Sequence, residues 1–311
     1  MFTAHRRGRL VAAGAVVVGA ALALAGCASS NPLSNGASTS TSSATLTIGS
    51  QDYYESETVA EIYAQALEHA GYTINRDFRI GQREVYLKDI EAGSIDVFPE
   101  YGGSLLQAID TTTTAKTQDE VFAGLQTALK TYSLTALTPA PASDQNSWTV
   151  TQAYASKWNL TDLASLKNVT DPIYVGGNSE LQTRPYGPKA LESDYGVKIA
   201  GFKAVQDSSG PLTVKALVDG TVQLANIYTS DPNISTNNLV ALQDPDGLFL
   251  PDHITPVVTS KVDQKAQDII NAIDAKLTQD ELLKINGESV NDQKSAADIA
   301  KSWLTDQGLL S

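Results

Sequence analysis

From Thr45 to about Val258, short runs of apolar and β-branched residues alternate with helical stripes, and this rhythm most constrains the fold. Such alternation buries strands between helices and selects α/β layers over bundles or sandwiches. Thr45 to Gly49 reads as a first strand. Val59, Ile62, Tyr63, Ala66, Leu67 and Ala70 then recur at spacings of three and four, which is one face of a helix. Phe78 to Ile80 reads as a second strand, Val85 to Ala92 as a helix and Ile95 to Phe98 as a third strand. Thr117 with Glu120 three residues on is a capping box for the helix carrying Val121, Leu125, Leu129 and Tyr132. The pattern continues through Tyr174–Gly176, Ile199–Val205, Leu212–Asp219 and Val222–Tyr228. After Ile254–Val258 only helical segments remain, one of them capped by Thr278. Late helices without strands pack back on an earlier domain, and no repeat of solenoid period is present. From Leu46 onward the chain is long for one simple domain and suits two α/β lobes, the first completed by the C-terminal part.

The N-terminal residues predict where the protein works. Arg6, Arg7 and Arg9 precede an uncharged run from Leu10 to Gly26. These are the basic and apolar regions of a secretory signal, and the run is short for a membrane-spanning helix. Leu24-Ala25-Gly26-Cys27 resembles the lipobox of bacterial lipoproteins, which implies acylation of Cys27 and cleavage just before it. Cys27 is the only cysteine in the chain. Acyl chains contribute about 0.8 kcal/mol per buried methylene, so two or three of them anchor stably. The Arg6-Arg7 pair leaves the export route open. Ser, Thr, Asn, Gly and Ala then dominate up to residue 45, too polar a stretch to offset its ordering entropy. Residues 1–26 are therefore expected to be a lipoprotein signal and residues 27–45 the lipidated cysteine with a flexible tether. No second apolar span follows, so any transport pore must be a separate polypeptide.

A formal charge of −13 argues against nucleic-acid partners and mildly favours cationic ligands. No nucleophile–base motif, phosphate loop or dinucleotide fingerprint is present, so no enzyme chemistry or cofactor is expected. His69 and His253 lie far apart without metal-ligand spacing, and no metal site is expected. Asp96 and Glu100 read as structural acids, and Gly102-Gly103 and Gly176-Gly177 as turns where backbone approaches closely.

Several ordered motifs together resemble the substrate-binding proteins of osmoprotectant ABC importers, which take glycine betaine, choline and related quaternary amines. They are Ile48-Gly-Ser50, the block from Glu91 through Pro99-Glu-Tyr101 to Gly103, and Pro139 to Ala142 followed by Asp144 to Trp148. Arg184-Pro-Tyr-Gly187, Leu224 to Asp231 and Phe249-Leu-Pro251 complete the set. The match runs from about Thr47 to Leu304. The resemblance implies a two-lobed periplasmic-binding-protein-like fold of type II, with ligand held in a cleft that hinge closure encloses. It places lobe one at 46–142 plus 245–311 and lobe two at 143–244. It further implies a monomeric, lipid-anchored protein on the outer face of the cell membrane, delivering ligand to an ABC permease and its ATPase.

A quaternary ammonium has diffuse charge and no N–H, so aromatic faces recognise it better than salt bridges do, at about 0.5–2 kcal/mol per ring. By resemblance, Tyr101, Trp148 and Tyr228 form such a cage, with Tyr186 and either Tyr53 or Tyr54 as further contributors. Tyr101 and Tyr228 also end strand-like runs, where ligands of open α/β sheets sit. Arg184 is a candidate grip for a ligand carboxylate, with an inter-lobe ion pair as its alternative role. The backbone amides of Ser50 to Tyr54, before a helix, offer help to an anion. Gln51 stands where betaine-binding relatives carry Lys, and Gly102 where they carry Thr. Both departures weaken carboxylate anchoring and leave the ligand open between choline, glycine betaine and another small solute such as an amino acid, ectoine or an aromatic compound. Asp52 and Asp144 read as solvated loop acids, with a cation-facing role as the alternative. A ligand-sensing lipoprotein is the other binding function the motifs allow.

Overall fold

A computed structural model of the chain describes residues 45–310. The signal region, Cys27 and all but the last residue of the tether lie outside the described residues.

Strands β1 (Thr45–Gly49), β2 (Thr73–Asp77), β3 (Val97–Tyr101) and β4 (Thr135–Ala136) form one sheet with a late strand, β10 (Ile254–Val258). Their order is β2-β1-β3-β10-β4. Strands β5 (Asn146–Thr151), β6 (Ile173–Gly177), β7 (Ile199–Ala204), β8 (Leu224–Tyr228) and β9 (Leu239–Ala241) form a second sheet, ordered β7-β6-β8-β5-β9. The two sheets share one logic. Each has three parallel strands and one antiparallel strand, β10 or β5, lying between the parallel set and a short edge strand. In both cases the antiparallel strand is the first to follow a passage between lobes. We refer to the parts built on the first and second sheets as lobes one and two.

The passages run side by side. Ala140 N–H donates to Ile254 O at 2.8 Å, Asp144 N–H to Asp252 O at 3.1 Å, and Ser143 and His253 form an antiparallel bridge. His253 Nδ1 lies 2.8 Å from Ala140 O in the same strip. Two paired strands of backbone make a hinge that bends while its polar groups stay satisfied.

The helical face read from the sequence is buried in α1 (Tyr54–His69), where Val59, Ile62, Tyr63, Ala66 and Leu67 are all inaccessible. α1 packs against the C-terminal helices Gln264–Asp274, Gln279–Val290 and Ala296–Asp306, which share one hydrophobic core with it. The Thr117 capping box is formed in both directions. Thr278 caps its helix through the Glu281 N–H.

One strand expectation is corrected. β2 is Thr73–Asp77, and Phe78–Ile80 is loop. β2 is an edge strand with only Ile74 packed inward, so its sequence carries little apolar signal. The apolar pair that suggested a strand flanks Arg79, whose left-handed φ of 54° ends the extension.

Candidate functional site

A narrow cavity, nearly closed at about 10 Å³, lies between the lobes, next to the hinge. Lobe one lines it from four junctions. Gln51 and Tyr53 come from the turn into α1, Arg83 from the first turn of α2 (Arg83–Glu91), and Tyr101 from the end of β3. Ser104 comes from the first turn of α3 (Gly102–Ile109), and Asp252 from just before β10. Lobe two contributes Asp144 and Asn146 at the start of β5, Arg184 and Tyr186 from the turn before the helix Pro188–Tyr195, and Tyr228 at the end of β8. Tyr101 and Tyr228 thus sit at strand C-termini, the ligand-facing rim of parallel sheets.

The rings converge. Tyr53 lies 6.0 Å from Tyr101 and 5.2 Å from Tyr228, centroid to centroid, with the planes tilted by 35° and 42°. A lobe-one tyrosine therefore spans the gap between one ring of its own lobe and one of the other. Tyr186 closes another side and packs on Phe249 at 5.6 Å. Tyr54 points elsewhere: it borders a separate surface pocket with Asp52, Arg79 and Asp207. Of the two adjacent tyrosines, Tyr53 faces the cavity. Burial holds the phenols of Tyr53 and Tyr101 well above their ordinary pKa, so both keep their protons.

Trp148 is placed differently from the sequence expectation. It is fully buried in the lobe-two core with Val175, Leu181 and Leu224, and does not line the cavity. On β5 it follows Asn146 on the same face, and the shorter side chain takes the cavity position. The amides before α1 are also spoken for. Ser50 N–H donates to Asp77 O, Gln51 N–H to Ser56 Oγ and Asp52 N–H to Gly81 O.

The charged groups form three closed arrangements. Glu100 takes Arg83 through a two-point fork (2.9 and 2.8 Å), the Tyr86 hydroxyl at 2.6 Å and the Tyr101 N–H at 2.8 Å. Arg184 reaches across the cleft and forks onto Glu84 of α2, with both bonds at 3.1 Å, and onto Gln82 Oε1 at 3.0 Å. Burial alone would raise the Glu84 carboxyl, but the Arg184 hydrogen bonds and charge outweigh it and hold Glu84 below its usual range. The third arrangement is acidic. Glu55 accepts from Tyr101 Oη at 2.8 Å, Ser230 Oγ at 2.6 Å and Asn286 Nδ2, while Asp144 accepts the Ser230 N–H at 2.9 Å. Burial pushes both carboxyls up, and the charge of Glu55 pushes Asp144 further. Asp144 is therefore a buried cavity acid, whereas Asp52 has a half-exposed side chain.

Sequence reasoning left out Arg83, Ser104, Asn146, Asp252 and Glu55. Glu55 read as an ordinary acid in the first turn of a helix, and nothing local distinguishes it. Ser104 and Asp252 are joined by bonds of 2.9 and 2.5 Å across 148 residues, a pairing no local pattern encodes. Burial raises the Asp252 carboxyl to about 6 in spite of Ser104.

The chain matches a family model described as the substrate binding domain of an ABC-type glycine betaine transport system, over residues 44–306. The glycine betaine-binding protein YehZ of Escherichia coli is 28% identical over 281 residues, spanning 82% of this chain and 89% of its own. The carnitine transport binding protein OpuCC of Listeria monocytogenes is 23% identical over 267 residues, spanning 84% and 86%. A crystal structure of a glycine betaine/carnitine/choline ABC transporter protein superposes with a TM-score of 0.68 at 19% identity, covering 86% of this chain and all of that one. The likeness shows a shared two-lobed α/β fold of the periplasmic-binding-protein type. Among the described residues no helix is long and apolar enough to cross a membrane.

Proposed function

This chain belongs to the family of substrate-binding domains of ABC-type glycine betaine transport systems, and on that premise we propose that it binds a quaternary amine among Tyr53, Tyr101, Tyr186 and Tyr228. Proteins of this family are extracytoplasmic solute carriers for an importer. One observation carries the reading: Tyr53 brings its ring within 6.0 Å of Tyr101 and 5.2 Å of Tyr228, three rings from separated segments and both lobes, in a cavity also lined by the buried Asp144. Ring faces attract a methylated cation, and exclusion of water strengthens the attraction. Closure supplies Tyr186 and Tyr228 from the second lobe, which couples ligand capture to the hinge. The acylated Cys27 and the polar tether would hold this monomeric body at the outer membrane face, where it hands ligand to the permease and ATPase of the importer.

The test is calorimetric titration of the body lacking the leader and Cys27 with choline, glycine betaine, carnitine, ectoine, proline and a neutral sugar. Binding confined to quaternary amines supports the reading, and Tyr101→Ala or Tyr228→Ala should then weaken it at least tenfold with the circular dichroism spectrum unchanged. Unaltered affinity in both variants would remove the tyrosines from the site. Binding of ectoine or proline in place of the amines would assign the cavity to another small solute.

A further inference from the structure

The cavity's remaining polar groups specify more than a methylated nitrogen. We propose that it selects a net cation bearing a hydroxyl, a hydroxyalkyl ammonium, over a zwitterion bearing a carboxylate, and that Glu84 sets this preference by occupying one two-point edge of Arg184 and neutralising its charge toward a ligand carboxylate. The proposal rests on the quaternary-amine reading above and refines it.

A guanidinium grips a carboxylate best through two parallel N–H bonds. Two guanidiniums reach the cavity, and each has its Nε–Nη2 edge closed: Arg83 by Glu100, Arg184 by Glu84. Each is also neutralised by that partner. Asp144, on the cavity wall beside Glu55, has no such balance, since neither acid forms an ion pair with Lys, Arg or His among the described residues. Asp252 adds a further carboxyl to the lining. A bound cation favours the ionised form of these carboxyls, whereas an anionic group beside them is opposed.

Asn146 supplies the second discriminating group. The Ser104 hydroxyl donates its single proton to Asp252 Oδ2 at 2.5 Å, so toward Asn146 it is an acceptor, and the atom facing it at 3.1 Å is Asn146 Nδ2. That bond settles which way the amide points. Its other atom, Oδ1, is buried without a hydrogen-bond partner in a residue only 6% exposed that lines the cavity. A buried orphan acceptor is costly, and a ligand hydroxyl satisfies it while a carboxylate repels it.

Choline and glycine betaine share a trimethylammonium and differ in hydroxyl against carboxylate, so they isolate the claim. Calorimetric titration of the leaderless body should give choline a Kd at least tenfold below that of glycine betaine. Glu84→Gln, at a half-exposed side chain, should narrow that gap at least fivefold by strengthening glycine betaine. Asn146→Ala should weaken choline at least fivefold and leave glycine betaine within twofold. Glycine betaine binding as tightly as choline in the wild type would overturn the proposal while leaving the quaternary-amine reading in place. So would a Glu84→Gln variant that weakens both ligands alike, which would make Glu84 a closure contact only. Silence from both ligands would overturn the underlying reading and this refinement together.

Discussion

Glu100 and Asp274 are both fully buried acids, and they differ in whether their lone pairs are filled. Glu100 receives four donors and anchors Arg83, Tyr86 and the backbone of Tyr101. Asp96 is similarly occupied by Thr47 N–H, Thr259 Oγ1 and Lys261. Asp274, in the lobe-one core, has one donor, Tyr63 Oη at 2.6 Å, and its Oδ2 has no partner. Burial holds its carboxyl well above the ordinary range, which Tyr63 only partly counters. In the folded state Asp274 binds its proton more tightly than in the unfolded chain, where its pKa is about 3.9. Stability from this group is thus present below that value and declines as pH rises toward the folded pKa. Asp274→Asn should remove the decline, so that the stability difference between variant and wild type, followed by urea denaturation, moves in the variant's favour as pH rises above about 4. A difference that stays flat with pH would mean that the carboxyl titrates normally.

At the scale of elements, the β3–α3 junction presents Tyr101 and Ser104 together. Here the chain turns from strand to helix against the returning segment at Leu250–Pro251. A Cβ on Gly103 would stand 2.5 Å from Pro251 O and 2.9 Å from Leu250 Cβ, so no side chain fits without moving backbone. Gly103→Ala should cost about 1–3 kcal/mol in denaturant unfolding and also weaken ligand binding, because Ser104 and Asp252 are pushed apart. Unchanged stability would mean that the 250–251 segment yields freely. The capping box at Thr117 and the buried face of α1 were readable because both obey local spacing. β2 was not, because an edge strand needs little apolar sequence, and the Phe78–Ile80 run mimicked one.

At the scale of the molecule, a polar latch spans the cleft. Gln82, just before α2, donates to Ser208 Oγ at 2.6 Å and accepts from Asn178 Nδ2 at 2.7 Å and from Arg184 at 3.0 Å. These bonds form only when the lobes meet, so they stabilise the closed state. Gln82→Ala should shift the population toward open. Small-angle scattering should give a larger radius of gyration without ligand, and the affinity for bound amines should fall by about threefold to thirtyfold. An unchanged radius of gyration would contradict the latch. The two sheets make such closure possible, since their shared topology brings strand ends of both lobes to one crevice.

The sequence by itself determined the α/β class, the return of the C-terminal helices to the first lobe, and the strand-end tyrosines Tyr101 and Tyr228. Burial periodicity, caps and strand ends are local properties, written within a few residues of one another. The tertiary structure alone decided that Tyr53 and not Tyr54 enters the cavity, that Asn146 and not Trp148 lines it, and that Arg184 spends its paired edge on Glu84, 100 residues away. Those outcomes depend on which distant side chains compete for the same buried donors and acceptors once the hinge closes. Spacing along the chain carries no record of that competition.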